Sequence, residues 1–330
     1  MPVTLTGMEI TVCICTHDRP SYVQSCLDGL VLQTARADRF EVLLVDSAST
    51  GSIPGTLVAL AEASGARLIR VEKPGVSAAR NAGARAARAP MIAYIDDDAI
   101  PTPDWVEAIL RAWHEADPPP ALLGGRILPH WEQPLPPWWP PSLRGVLSII
   151  EYEGQGTYRT DELPAGLEPY AANMTVAVAP LLAAGGFGED LGRYGAVLLS
   201  DEEVRLAWAL QDAGHRIAYD SRIVVRHQIQ ASRLTPAWLL RRLYWQGAST
   251  VTTRRLSRNA ASVWQEVPRR LMVLAVYGPS ALLPAASTRL IGPRWRVAYA
   301  LGFVRAAFGW RAARSAARLA ERGTATGVAA

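Results

Sequence analysis

From Glu9 to Glu115 the apolar residues change period in a regular rhythm, and that rhythm restricts the fold more than any single motif. Short apolar runs that read as strands span Glu9 to Cys15, Phe40 to Val45, Ala66 to Val71 and Met91 to Ile95. Helical spacing takes over between and after them. It runs from Pro20 to Gln33, where Tyr22, Val23, Cys26, Leu27, Leu30 and Val31 share a face, then from Ile53 to Ser64, Val76 to Ala89 and Trp105 to Glu115. Strand and helix in alternation predict an α/β fold with a mainly parallel sheet covered on both faces. In such sheets ligands lie beyond the carboxyl ends of the strands, where the strand order reverses.

The residues at those ends are therefore the first candidates for a site. They are Thr16, His17, Asp18 and Arg19 after the first strand, Asp46 and Ser47 after the second, Glu72 and Lys73 after the third, and Asp96, Asp97 and Asp98 after the fourth. Three adjacent carboxylates repel one another, so the triplet is either a solvated turn or the seat of a positive group. Its company at the other strand ends favours the second reading. Mg²⁺ takes one or two protein carboxylates while substrate phosphates and water complete its shell.

The successive motifs Ile10-Thr-Val-Cys-Ile-Cys-Thr-His-Asp-Arg19, Leu43-Leu-Val-Asp-Ser-Ala-Ser49, Pro74-Gly-Val-Ser-Ala-Ala-Arg-Asn-Ala-Gly83 and Tyr94-Ile-Asp-Asp-Asp98 resemble those of glycosyltransferase family 2. These are inverting nucleotide-sugar enzymes with the Rossmann-like GT-A fold. Ala172-Asn-Met174, Gly185-Gly-Phe187, Leu199-Ser-Asp-Glu-Glu-Val-Arg-Leu206 and Val225-Arg-His227 extend the resemblance over about residues 9 to 250. It implies that Asp46 accepts a hydrogen bond from the nucleobase, that Thr16 and Arg19 lie around the nucleotide, and that Arg80 sits near base or phosphates. Asp96 and Asp98 would form the Asp-x-Asp pair, Asp98 binding Mg²⁺ or Mn²⁺ and Asp96 contacting ribose or metal-bound water, with Asp97 less essential. The helix beginning near Ser77 would direct its positive end toward anions.

An inverting transfer needs a base for the acceptor hydroxyl. By the resemblance, Glu202 and Glu203 match the family's acidic pair, Glu203 being the base, although Arg205 stands where relatives often carry a further acid. His227 would be a metal or phosphate ligand, Asn173 and Met174 would line the acceptor side, and Trp245-Gln-Gly247 resembles a segment near the donor phosphates. Trp131, Trp138 and Trp139 lie among prolines, where an acceptor-facing loop and simple packing are both open.

The chain has 330 residues, 49% of them hydrophobic, enough for a full core and inconsistent with disorder. Cys13, Cys15 and Cys26 make no disulfide framework and read as buried thiols of a reducing compartment. Met1 to Gly7 has neither the basic start nor the apolar run of a signal peptide. Charge is unevenly placed: from Arg233 onward there are sixteen arginines and two acids, Glu266 and Glu321, against 18 basic and 28 acidic residues before. Leu271 to Thr288 carries no charge but is broken by Gly278-Pro279 and Pro284, and Val297 to Phe308 is a second apolar stretch, followed by Arg311, Arg314 and Arg318. This predicts amphipathic helices lying on a membrane, with ordinary packing of the tail against the catalytic domain as the alternative.

The expected organisation is a catalytic domain over 1–228, with a nucleotide-binding half about 9–115 and an acceptor half about 116–228. A helical linker over 229–268 and the amphipathic tail over 269–330 follow. The expected partners are a nucleoside diphosphate-sugar, a UDP-sugar being favoured, a polysaccharide or lipid-linked glycan acceptor and a membrane surface, with no nucleic acid. The expected location is cytoplasmic, on the inner face of the membrane. A nucleotide-sugar binding protein without activity and a sugar nucleotidyltransferase are the alternatives on the same fold.

Overall fold

In a computed structural model, residues 7–194, 197–257, 260–282 and 291–309 are described. The first half follows the alternation: β1 (Ile10–Thr16), α1 (Pro20–Val31), β2 (Phe40–Ser47), α2 (Ile53–Ser64), β3 (Arg67–Val71), α3 (Val76–Ala86) and β4 (Met91–Asp96). Then come β5 (Ala99–Pro101), α4 (Trp105–Glu115), β6 (Leu122–Trp131), β7 (Gln155–Thr157), β8 (Met174–Ala177) and α5 (Val178–Ala183). β9 (Arg193–Tyr194), β10 (Val197–Leu198), α6 (Glu202–Asp212) and β11 (Ile217–Ile229) follow.

The sheet order is β3-β2-β1-β4-β8-β6-β11-β5, with β7 also on β11. Strands β1 to β4 are parallel, so β1 and β4 are covered on both faces and read as nearly continuous apolar runs, buried along their length. The sheet is mixed beyond them. β8 runs antiparallel to both β4 and β6, and β5 and β7 run antiparallel to β11. The chain leaves β1 toward β2 and β3, then returns to β1's other side as β4, so the order reverses between β1 and β4. At that place the crevice of an α/β sheet opens. Helix α3 is held close to the sheet by Gly83, where a Cβ would stand 2.5 Å from Cys13 Sγ.

The described residues divide into two compact units. The first comprises Met1–Glu132, Leu147–Gly188 and Glu203–Ile229; the second comprises Gln133–Val146, Glu189–Glu202 and Gln230–Ala330. These bounds differ from the expected ones, since residues 133–146 and 189–202 group with the C-terminal helices, and the expected linker is itself part of a packed helical core.

Within the second unit, α7 (Pro236–Leu256), α8 (Ala261–Tyr277) and α9 (Ile291–Ala307) enclose Ala248, Val251, Val263, Val267, Phe303, Ala306 and Ala307. Thr235 caps α7, its hydroxyl accepting from Trp238 N at 3.3 Å, with Pro236 in the first turn. α7 and α9 cross on glycine: a Cβ on Gly302 would collide with the Tyr244 carbonyl, and one on Gly247 with the Tyr299 carbonyl. Gly247 is thus a helix-packing residue. Trp139 is buried and packs with Trp238, ring centres 6.4 Å apart, which settles that tryptophan as packing. Among the described residues no helix is long and apolar enough to cross a membrane. Arg289, Arg311, Arg314 and Arg318 lie outside the described residues.

Candidate active site

The three aspartates that end β4 have three environments. Asp96 remains partly exposed and accepts from Arg80 Nη2 at 3.1 Å. Asp97 turns inward, accepting from Thr16 Oγ1 and from Arg19 Nη1, each at 2.7 Å. Asp98 is buried, accepts from Arg19 Nη2 at 2.7 Å, and faces His227 Nε2 at 3.2 Å. The planar fork of Arg19 therefore bridges two carboxylates, and its outer face lies 4.5 Å from the Tyr22 ring centre. Burial pushes Asp97 up to about 7 against the pull of Arg19. The same burial lowers Arg19, but Asp97 and Asp98 outweigh it and hold the guanidinium above its ordinary value. The mutual repulsion read in the sequence is relieved by two guanidinium groups, Arg80 from α3 and Arg19 from the end of β1.

Arg80 is the second hub. It lies in the second turn of α3, buried, with Nη1 donating to Glu203 Oε1 at 3.2 Å while Nη2 holds Asp96. Its guanidinium carbon is 5.5 Å from the Phe187 ring centre, and Phe187 stands edge-on to Tyr94 at 5.2 Å. Phe187 is placed by Asn81, whose Oδ1 accepts from Phe187 N at 2.8 Å and whose Nδ2 donates to Phe187 O at 2.9 Å. Glu203 Oε1 also accepts from Ala171 N at 3.4 Å. Both contacts fall on one oxygen, Oε1.

Asp46, expected to meet a nucleobase, is buried; one oxygen accepts from Ser49 N at 2.9 Å and the other pairs with Arg70. Arg70 was not among the expected residues. Thr16 and Asp97, both expected around the nucleotide, instead satisfy each other in the interior. Asn173 and Met174, expected on the acceptor side, are buried as well. Asn173 accepts from Trp105 Nε1 and donates to the carbonyls of Arg126 and Ile223, each at 2.9 Å. Met174 begins β8 in the core. A side chain whose polar atoms join two strands and a helix is a structural tie. Glu202 is buried at the first position of α6.

The expected metal set is only partly assembled. Asp98 and His227 meet, whereas Asp96 turns to Arg80, and among the described residues no three His, Cys, Asp or Glu side chains converge. The two that meet have the right chemistry for a divalent cation. His227 Nδ1 lies 3.0 Å from the Leu147 carbonyl and donates to it, so Nε2 is the ring nitrogen turned to Asp98. Nε2 lies 3.2 Å from Asp98 Oδ1, so an imidazole nitrogen and a carboxylate oxygen, both ligand types for such ions, stand side by side. Protein ligands this few suit an ion whose shell is completed by phosphate and water.

The reversal at β1 and β4, with acidic residues at the strand ends, gives an open α/β fold whose crevice lies at those ends. Residues 11–138 match the model of Glycosyl transferase family 2. It is 27% identical over 179 residues to the glucosyl-dolichyl phosphate glucuronosyltransferase of Haloferax volcanii, covering 54% of this chain and 55% of that one. It is 26% identical over 176 residues to the pre-mycofactocin glycosyltransferase of Mycobacterium tuberculosis, covering 53% of this chain and 34% of that one. The chain thus spans about half the length of the first relative and a third of the second. Among solved structures, the mannosyltransferase PcManGT of Pyrobaculum calidifontis, in complex with GDP-Man and Mn²⁺, superposes with a TM-score of 0.54 at 20% identity, covering 98% of this chain and 81% of that one. TarS of S. aureus in complex with UDP gives 0.51 at 17%, covering 92% and 91%. The fold is GT-A, a mostly parallel sheet with helices on both faces and further helices at the C-terminal end.

Proposed function

We propose that the protein is an inverting glycosyltransferase. It moves a sugar from a nucleoside diphosphate-sugar, with UDP favoured as the nucleotide, to a polysaccharide or lipid-linked glycan. The observation that carries this reading is the ladder Asp96–Arg80–Glu203, which sets a carboxylate of α6 beside the acidic end of β4. Glu203 acts as the general base. As the acceptor oxygen bonds to the anomeric carbon and the bond to the diphosphate breaks, the hydroxyl proton passes to Glu203 Oε2, while Arg80 and the Ala171 amide hold Oε1 and fix the carboxylate's angle. Arg80 is accordingly a positioning residue.

Asp98 and His227 would hold Mg²⁺ or Mn²⁺, and such an ion supplies Lewis-acid stabilisation of the departing diphosphate. A solved structural neighbour that carries Mn²⁺ and GDP-Man, and another that carries UDP, support a metal and a nucleotide donor. Arg19, exposed on one side, lies where the diphosphate would arrive and can exchange a carboxylate for a phosphate oxygen. The name of the Haloferax relative, a transferase acting on a glucosyl-dolichyl phosphate, supports a lipid-linked acceptor, and a lipid-linked acceptor would be met at a membrane surface.

The test is incubation with UDP- and GDP-sugars in Mn²⁺ or Mg²⁺, with the nucleotide products separated by mass. Transfer releases free nucleoside diphosphate. Binding without any release would establish the non-catalytic alternative, and release of diphosphate would establish a nucleotidyltransferase.

A further inference from the structure

Helix α6 carries the proposed base on one side and a cation without a counter-charge on another. Successive helix positions turn by about 100°, so Arg205 lies about 200° around the axis from Glu203 and does not share its face. Arg205 is half-buried and packs on the backbone at Gly188, where a Cβ would collide with its Nη1. That backbone is held in place, because Asn81 bonds both the N–H and the carbonyl of the neighbouring Phe187. Among the described residues Arg205 donates no hydrogen bond and pairs with no acid. Asp212, exposed at the far end of the helix, pairs with no cation among them either.

Trp208 stands three positions further on, beside Arg205 on the same side of the helix. Its Nε1 is buried and has no acceptor among the described residues, a state that few native donors are left in. Arg159 lies over the indole, its guanidinium carbon 5.0 Å from the ring centre, and its Nη1 donates at 3.2 Å to Gln211 Oε1, a neutral partner. Arg159 also has a φ of 63°, in the left-handed region that side chains other than those of glycine, asparagine and aspartate seldom adopt. Backbone held in that region gathers at binding sites. Two guanidinium groups and an indole N–H thus share one side of α6, and among the described residues no anion answers them.

All three groups donate and none accepts, so their ligand must bring acceptors and negative charge. A guanidinium fork matches the paired oxygens of a carboxylate or a phosphate, and an indole offers apolar surface to a sugar ring. The helix is the one that bears Glu203, which places the ligand on the acceptor side. The turn of the helix keeps it away from the reacting hydroxyl. We infer that Arg205, Trp208 and Arg159 form a subsite for an anionic sugar of the acceptor, one that lies apart from the sugar receiving the new bond. Arg159 is exposed and long, and lifts from the indole as the ligand enters. The inference rests on the glycan acceptor of the proposed function, and its test reads binding rather than transfer, so the two fail separately.

The experiment titrates the full chain, isotope-labelled at tryptophan, with methyl glucuronide, a glucose phosphate monoester and methyl glucoside. Excess UDP and Mg²⁺ keep the sugar phosphate out of the donor crevice. The indole N–H resonance of Trp208, assigned by its loss in Trp208→Phe, should move with one or both of the anionic sugars and stay still with the neutral one. A response to the glucuronide alone assigns a carboxylate, and a response to the phosphate alone assigns a phosphate ester. Arg205→Gln should weaken that binding about tenfold, the scale of a lost charge-assisted hydrogen bond. Arg205→Lys, which keeps the charge and loses the fork, should recover part of it. Neither should lower the melting temperature, since Arg205 has no partner to strand; if one does, Arg159→Gln, at an exposed side chain, takes its place with the same expectation. A Trp208 resonance that no anionic sugar moves overturns the inference, as does one that methyl glucoside moves equally, or an affinity unchanged in both Arg205→Gln and Arg159→Gln. An equal shift with sodium sulfate also overturns it, leaving an adventitious ion only. A chain that binds these sugars and releases no nucleoside diphosphate keeps the subsite and loses the transfer reading.

Discussion

Replacing Arg80 with methionine keeps the volume of the side chain and removes the cation between Asp96 and Glu203. Its two arms differ in worth. The Glu203 arm joins side chains 5% and 12% exposed, and breaking a buried pair by removing one partner costs about 3–5 kcal/mol. The Asp96 arm ends on a carboxylate 36% exposed, where water replaces the lost partner and the contribution falls to about 0–1 kcal/mol. The expected loss for Arg80→Met is therefore about 3–4 kcal/mol. In a Glu203→Gln background the main charge to be stranded is gone, so the same substitution should cost only about 1 kcal/mol, a coupling of about 2–3 kcal/mol.

Equilibrium urea denaturation of the four proteins measures this, provided that near- and far-ultraviolet dichroism give coincident transitions and the free energies are defined. With a slope of about 3 kcal/mol/M, Arg80→Met should lower the midpoint by about 1 M. A coupling below about 0.5 kcal/mol, with every variant folded, would refute the pair and with it the positioning of the base. The same variant separates two roles. A residue that positions Glu203 lowers kcat while UDP affinity in Mn²⁺ stays within about twofold, whereas a donor ligand loses UDP affinity first.

Glu203→Gln should lower transfer by at least about a hundredfold, within the span of general-base effects, with UDP binding unchanged; an equal loss confined to Glu202→Gln would move the role by one residue. Asp98→Ala should remove the Mn²⁺ dependence of UDP binding, read by calorimetry, in a chain that stays folded but is less stable, since Arg19 loses one of its two carboxylates and keeps Asp97; unchanged metal dependence would disprove the assignment. Asn173→Ala strands Trp105 Nε1 and two carbonyls and should cost about 2–4 kcal/mol in denaturation, whereas a residue that only lined an acceptor groove would lower activity without that loss. Gly302→Val should lower the melting temperature by several degrees, since its Cβ meets backbone at Tyr244 and the helices must separate; an unchanged melt would mean that the α7–α9 crossing is not so close.

The alternation from β1 to α4 is written locally, because a period of 2 and a period of 3.6 each show within ten residues. That is why Ile53–Ser64 and Trp105–Glu115 agree residue for residue with the observed helices. The placing of acidic residues at a strand end was equally legible, since the apolar run of β4 stops where the triplet begins. The four-residue β8 and the three-residue β5 are too short to show a period, so the antiparallel pairings were not.

The partners of the site residues belong to the tertiary structure alone. His227 reaches Asp98 because residues 225–227 of β11 pair with residues 99–101 of β5, and Glu203 reaches Arg80 from 123 positions away. The arginine that meets Asp46 comes from the register of β2 on β3, which places Asp46 opposite Arg70. Asn173 carries a motif's residue type, but the strands around it consume every polar atom it has. A residue's type and its strand-end position are properties of a short segment of sequence. Which oxygen faces water and which faces an arginine depends on strand order and register, and those are set by what the other strands and helices bury.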